Sequence, residues 1–241
     1  MALQAFLNQT RFPRLWKAFQ NVAGGLHDKR ALCLLKYQGQ PSVLEVGCSV
    51  GTIASVFARD PEVAYTGLDI DPPVIRRAQE AFRTTPNCTF VCQDIREFSK
   101  SGRRFGFVLF AGICHHVEPG ELRALLEAGA SLLTDDGQLV VVDPVLPGPG
   151  DPAFFRLFLR LEQGRFVRAT QALEDLLSDV PRLTLVTSET HVVGASPWSV
   201  PRCARFGVYV LQRSLGAEET RSERSSAEFR QHDDLPARHR A

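Results

Sequence analysis

The chain has 241 residues, 44% of them hydrophobic and 23% charged, enough to bury one sizeable core in a soluble globular protein. Its net charge of +1 gives no global field for nucleic acid or anionic membranes, so neither partner is expected. No apolar run approaches the ~20 residues of a membrane span, and Met1 to Asn8 lack the basic and long apolar regions of a secretory signal, so the expected setting is the cytoplasm.

The first forty residues read as helices. Phe12, Leu15, Trp16 and Phe19 recur on one helical face, Pro13 suits a first helical position, and Gly24-Gly25 a stop. A second helix is expected from about Asp28 to Tyr37. Then an apolar run, Val43 to Val46, carries Glu45 near its end and turns through Gly47-Cys48-Ser49-Val50-Gly51 into a helical pattern, Thr52 to Ala58. A strand that turns tightly into a helix brings backbone N–H groups close to a ligand. Three readings compete for this turn. The dinucleotide fingerprint fails on spelling, because Ser49 holds the middle glycine's place. A nucleophile elbow fits G-x-S-x-G, with Ser49, Asp143 and His191 in triad order. The third is the glycine loop of an S-adenosylmethionine (SAM) site, which also wants an acid just before the first glycine.

The downstream pattern bears on the choice. Val63 to Asp71 reads as a second strand ending in an acid, Asp69, roughly 20 residues past the loop, where a ribose-binding carboxylate belongs. Thr89 to Ile95 is a third strand, ending at Asp94. Phe105 to Gly112 is a fourth, followed by Ile113-Cys114-His115-His116, and Leu133 to Asp143 is a fifth. Regular alternation of strands and helices implies a parallel sheet covered on both faces. Asp143 to Gly150, with three prolines, is expected to leave the sheet as a loop at its carboxyl end. Phe154–Leu161 and Ala169–Leu177 read as helices, Leu183–Thr187 and Phe206–Leu211 as the last strands. Elbow folds place several strands before the nucleophile, whereas only about forty residues precede this turn, which disfavours the hydrolase reading.

This ordered set of motifs resembles the class I SAM-dependent methyltransferases, in the small-molecule branch related to quinone-pathway enzymes, over about residues 40–145. The resemblance implies an α/β fold: a doubly wound, Rossmann-like seven-stranded sheet with an antiparallel last strand, and N-terminal helices as a lid. Residues 1–213 would form the methyltransferase domain, with 1–40 as lid, 41–145 as cofactor-binding core and 146–213 as substrate cap and final strands. It implies that Glu45, Gly47 and Gly51 shape the cofactor loop, with Ser49 in place of the usual middle glycine. Asp69 would hold the ribose with Ile70 on the adenine. Asp94 would accept from the adenine amine with Ile95 beside it, and Ala111 and Gly112 would pass near the methionine moiety. Gly106 stands where the family commonly has Asp, and a stability cost is expected there.

His115 and His116 follow the fourth strand. Either would serve as general base, or both cap and pack the next helix. Arg165 and Arg168 fit an acidic substrate group or surface pairs with Glu162 and Glu174. His191 stays ambiguous, and Trp198 would wall an aromatic acceptor or anchor a loop. Asp71-Pro72-Pro73 is not the tetrapeptide of amino-group DNA methyltransferases, because it follows the wrong strand. The six cysteines, Cys33, Cys48, Cys88, Cys92, Cys114 and Cys203, read as buried structural thiols. Cys88 and Cys92 would stand about 13 Å apart on one strand, too far to share a metal ion. Residues 214–241 alternate Glu, Arg and Ser with few large apolar residues and are expected to be disordered. The expectation is methyl transfer from SAM to O or N of a small-molecule acceptor by a monomer or homodimer without a metal. Alternatives are a SAM-binding protein with another reaction or a scaffold role, and, remotely, a serine hydrolase acting through Ser49.

Overall fold

β4 (Phe105–Ala111) is buried at all seven positions, the mark of a strand covered on both faces. Around it the computed structural model, which describes residues 25–152, 155–156, 159, 164–194 and 202–214, builds a seven-stranded sheet. In chain order the elements are α1 (Gly25–Leu34), β1 (Ser42–Val46), α2 (Ala54–Phe57), β2 (Ala64–Asp69), α3 (Pro72–Ala81), β3 (Cys88–Cys92) and α4 (Ile95–Phe98). After β4 come α5 (Pro119–Ser131), β5 (Leu133–Val145), α6 (Thr170–Ser178), β6 (Leu183–Gly194) and β7 (Arg202–Arg213). The strand order is β3-β2-β1-β4-β5-β7-β6. β1 to β5 are parallel, and β7 lies antiparallel between β5 and β6. The expected Rossmann-like sheet with an antiparallel last strand is therefore the fold of this chain. The helix expected around Phe12–Phe19, most of the one at Phe154–Leu161, Trp198 and the 214–241 tail beyond Ser214 lie outside the described residues.

Side chains alternate across the sheet, as the two-residue period requires. Leu44, Val46, Val108, Phe110, Val141 and Tyr209 enter one core cluster. Val43, Phe107, Leu109, Val140, Val142 and Val208 enter the other. The first cluster packs with Leu122, Leu126 and Ala130 of α5 and Leu173 and Leu177 of α6, and the second takes Leu32 and Cys33 of α1.

Three expectations need correction. β5 does not stop at Asp143 but runs on to Val145, pairing Pro144 with Phe206 of β7. The Leu146 amide, two residues on, donates to Arg168 O (2.9 Å), away from β7. Pro144 points the same way, so its missing N–H removes no bond to β7. β6 and β7 are also twice their expected length, because each satisfies the other's backbone across eleven paired positions. Finally, Cys92 is exposed and Cys88 only half-buried, while Cys33, Cys48 and Cys114 are core. At Gly106, a Cβ would lie 3.1 Å from Gln40 Cβ, so Gln40 already fills the space a larger residue would take.

Candidate active site

Chain order reverses between β1 and β4. The connection after β1 runs toward β2 and that after β4 toward β5, which opens a crevice at the carboxyl ends of the strands. Glu45, Asp69, Asp94, Ala111 and Asp143 all come from the ends of strands or the residues just after them, so the topology gathers them along this rim.

The glycine loop is fastened to β2. The Cys48 amide donates to Leu68 O (2.9 Å), and Gly67 is bare beneath the Cys48 side chain, where a Cβ would meet Sγ at 2.8 Å. Gly47 and Gly51 have positive φ, 71° and 77°. At Gly51 a side chain would also strike Phe82 at 2.8 Å, so glycine is required twice over. Ser49 too is left-handed, at φ 49°, and costs the loop roughly 1–2 kcal/mol of backbone strain. Its amide is held by Asp69.

Asp69 is the best-organised acid of the rim. One carboxylate oxygen accepts from Ser49 N (2.9 Å) and the other from Asp71 N (3.0 Å). Each oxygen keeps a second lone pair for a ligand hydroxyl. Beside it Ile70 is 73% exposed, an apolar face left open. Pro72, at the first helical position of α3, turns the chain away immediately after this pair.

Asp94 caps α4 and accepts from Arg96 N (2.7 Å). The Arg96 guanidinium also grips it bidentately, at 2.8 and 2.6 Å, and holds its carboxyl below the usual range. Asp94 is thus already partnered where an adenine amine was expected. Ile95 is 3% exposed and belongs to the core, so its side chain is not brought to an open surface beside Asp94.

Glu45 is buried and accepts from the Tyr65 hydroxyl, a pairing the sequence did not signal. Burial pushes its carboxyl up to about 8, further raised by Asp69 and opposed by the Tyr65 bond and the Lys29 charge. An unfolded glutamate titrates near ~4.3. Between that value and about 8 the folded state therefore binds the extra proton, and stability falls as pH rises, by up to ~1.4 kcal/mol per unit. Thermal unfolding from pH 5 to 8 is expected to show this fall in the wild type and a flatter profile in Glu45→Gln. Parallel profiles would refute the assignment.

At the end of β4, Ala111 is buried, and Gly112 just past it adopts φ 69°. The next residues form a short 3-10 turn, Cys114–His116. Asp143, two residues before the end of β5, anchors it. Its carboxylate accepts from Cys114 N (3.1 Å) and lies 3.1 and 3.2 Å from His115 Nδ1. A carboxylate only accepts, so Nδ1 carries the proton in this pair. His115 and Asp143 are both buried, whereas His116 is exposed and packs its ring on His115 at 4.0 Å.

The cap segment is stapled over this turn. Phe166 N donates to His115 O (2.9 Å), and a Cβ at Gly164 would lie 2.0 Å from His115 Cδ2. Arg168 donates to the carbonyls of Cys114 (2.7 Å), Val117 (2.7 Å) and Phe166 (3.0 Å). Arg168 is not paired with Glu174: three backbone carbonyls take its guanidinium. Arg165 is exposed. Carbonyl partners leave no trace in sequence, so only the fold could reveal this role.

The hydrolase triad does not assemble. Asp143 is committed to His115, and His191 on β6 faces Glu189 at 3.3 Å. β1, which leads into Ser49, and β6 are four strands apart, roughly 19 Å at ~4.8 Å per strand. Among the described residues no group of three or more His, Cys, Asp or Glu is placed to hold a metal ion, and no helix is long and apolar enough to cross a membrane.

This fold is shared with solved methyltransferase structures. Residues 43–137 match the family model described as a methyltransferase domain. An uncharacterized methyltransferase of Mycobacterium tuberculosis is 36% identical over 110 residues, 45% of this chain and 53% of that protein. The chain thus spans about half the length of the curated relatives it matches. Among solved structures, mitomycin 7-O-methyltransferase superposes with a TM-score of 0.64 at 20% identity, covering 87% of this chain and 60% of that one. A 1,6-didemethyltoxoflavin N1-methyltransferase of Burkholderia thailandensis, solved with its substrate and S-adenosylhomocysteine, gives 0.63 at 19% identity and covers 88% and 87%. These two share the fold.

Proposed function

We propose that this chain transfers a methyl group from SAM to an oxygen or nitrogen of a small-molecule acceptor. The observation that carries the reading is Asp69: a carboxylate fixed by two loop amides, with lone pairs directed to a ligand and the exposed Ile70 beside it. That pair suits a ribose diol and the flat apolar base attached to it, so the residues fit an adenosyl group. SAM, when bound, supplies an electrophilic methyl on sulfur. The chain's own work is to orient, to exclude water and to take a proton. Asp143 orients His115 through Nδ1, and in this reading His115 takes the proton of the acceptor's hydroxyl or amine. Asp143 then offsets the charge that His115 acquires. His116, exposed on the same turn, faces the acceptor side as a contact rather than the base. The cap residues Gly164 to Arg168 keep this turn dry and fixed. In this reading the 146–213 segment, expected as substrate cap and final strands, contributes that cover over the acceptor.

Calorimetric titration with S-adenosylhomocysteine tests the cofactor, and its release from SAM over a panel of hydroxyl- and amine-bearing acceptors tests the transfer. Saturable one-to-one binding and acceptor-dependent release are expected. No binding by the full chain would overturn the reading.

A further inference from the structure

Arg205 of β7 plays no part in the reading above, yet it stands on the rim of the sheet beside the cap. β7 runs antiparallel to β5, so its beginning lies level with the carboxyl end of β5, where Arg205 pairs with Val145. On the other side of Val145, past the end of β4, Arg168 joins as a parallel bridge. Two arginines thus flank the last residue of β5. Between them the chain leaves the sheet at Leu146 and returns at Arg168, and both limbs of this excursion are tied down. The returning limb is held by Arg168 on the Cys114 and Val117 carbonyls and by the Phe166 amide on His115 O. The outgoing limb is held at Asp151. One of its carboxylate oxygens accepts from Arg205 Nη2 (2.7 Å), and the other accepts from Arg205 Nε (2.9 Å) and from the Gly148 amide (2.7 Å).

The Asp151 side chain is only 9% exposed in this grip, and Arg205 donates in addition from Nη1 to Thr190 Oγ1 on β6 (3.1 Å). A two-bond fork with little exposure fixes direction as well as distance, unlike a solvated surface pair. Because Asp151 also draws in the Gly148 amide, the fork curls the turn from Gly148 to Asp151 onto β7. The limb begins with Leu146, an apolar side chain that is exposed, and its base is bonded to the other limb, Leu146 N to Arg168 O (2.9 Å). A shift of the outgoing limb is therefore passed to the limb that packs on His115. We propose that Arg205 is a positioning residue for the acceptor: through Asp151 it holds the 146–151 limb of the cap, so that the cap presents one fixed surface to the small molecule beside His115. This rests on the methyl-transfer reading above. The cofactor loop is left out of this linkage, since β7 and β1 are three strands apart, roughly 14 Å at ~4.8 Å per strand.

The test uses the full chain and the first acceptor of the panel above that supports S-adenosylhomocysteine release by wild type. Arg205→Met and Asp151→Asn are each expected to raise the KM of that acceptor by about 3- to 30-fold, within the range for residues coupled in one ion pair. Turnover should change much less, and calorimetric affinity for S-adenosylhomocysteine should stay at the wild-type value, which also shows that the variants fold. The double variant should be no worse than either single one. Arg205→Lys, which keeps the charge but not the fork, should give an intermediate KM. In Arg205→Met the amides between Leu146 and Asp151 should exchange hydrogen faster than in wild type. An unchanged KM in Arg205→Met, even with faster exchange, would overturn the proposal, because the pair would then only brace the fold. A matching fall in turnover and in S-adenosylhomocysteine affinity would overturn it as well, since the damage would not be confined to the acceptor. Wild type that binds S-adenosylhomocysteine yet releases none from SAM with any acceptor would overturn the methyl-transfer reading and this role with it. Failure of this role alone shows instead as an active wild type whose variants keep its KM.

Discussion

Asp143→Asn is expected to lower methyl transfer by about 100-fold or more while leaving S-adenosylhomocysteine affinity near the wild-type value. The carboxylate receives two donors, the Cys114 amide and His115 Nδ1. Both donors share one oxygen, which asparagine can keep, but its amide nitrogen, a donor, then replaces the second oxygen 3.2 Å from His115 Nδ1. Its amide nitrogen then faces the imidazole and donates to it, which moves the ring proton from Nδ1 to Nε2. The base atom is lost although the geometry survives, and general-base contributions run at roughly 10²–10⁴-fold. Asp143→Ala differs in kind. It leaves both donors buried without a partner, at about 1–3 kcal/mol each, and should lower the unfolding midpoint as well. The pair of variants separates chemistry from stability. Full turnover by Asp143→Asn, with an unchanged pH profile, would show that His115 is only a packing residue.

Asp69→Ala is expected to weaken S-adenosylhomocysteine binding by about 1–3 kcal/mol, or roughly 5- to 150-fold, the range for unpaired donors in a binding site. Two losses act together. The ligand hydroxyls lose their acceptor, and so do the Ser49 and Asp71 amides. Ser49 is already strained at φ 49°, and the bond to Asp69 helps keep it there. The loop should therefore loosen even without ligand, and unfolding should begin a few degrees earlier. Calorimetry of the variant beside wild type decides the matter: equal affinities would sink the ribose assignment.

Much of this architecture was legible along the chain. Five apolar runs separated by helical patterns predict a parallel sheet, because strands covered on both faces need continuous hydrophobic residues. Acids at the strand ends are legible too, since Glu45, Asp69 and Asp94 break apolar runs at regular intervals. Strand pairing beyond Asp143 was not. A proline there signals a loop, and only the direction of the neighbouring Leu146 amide shows that its missing N–H faces away from β7. Likewise the family resemblance implies Ile95 beside the adenine, whereas the first turn of α4 puts its side chain in the core.

The sequence by itself determined the order and type of elements, the need for glycine at positions 47 and 51, and the acid that closes β2. These follow from local backbone chemistry and from hydrophobic periodicity, which act over a few residues. Tertiary structure alone decided which partner each polar group takes. Asp143 finds His115 at a separation of 28 residues, Arg168 finds the Cys114 carbonyl at 54, and Lys29 meets Gly112 across the crevice. Such pairings are set by how strands order and helices dock. A carbonyl or a bare glycine offers no distinctive side chain by which a sequence could announce them.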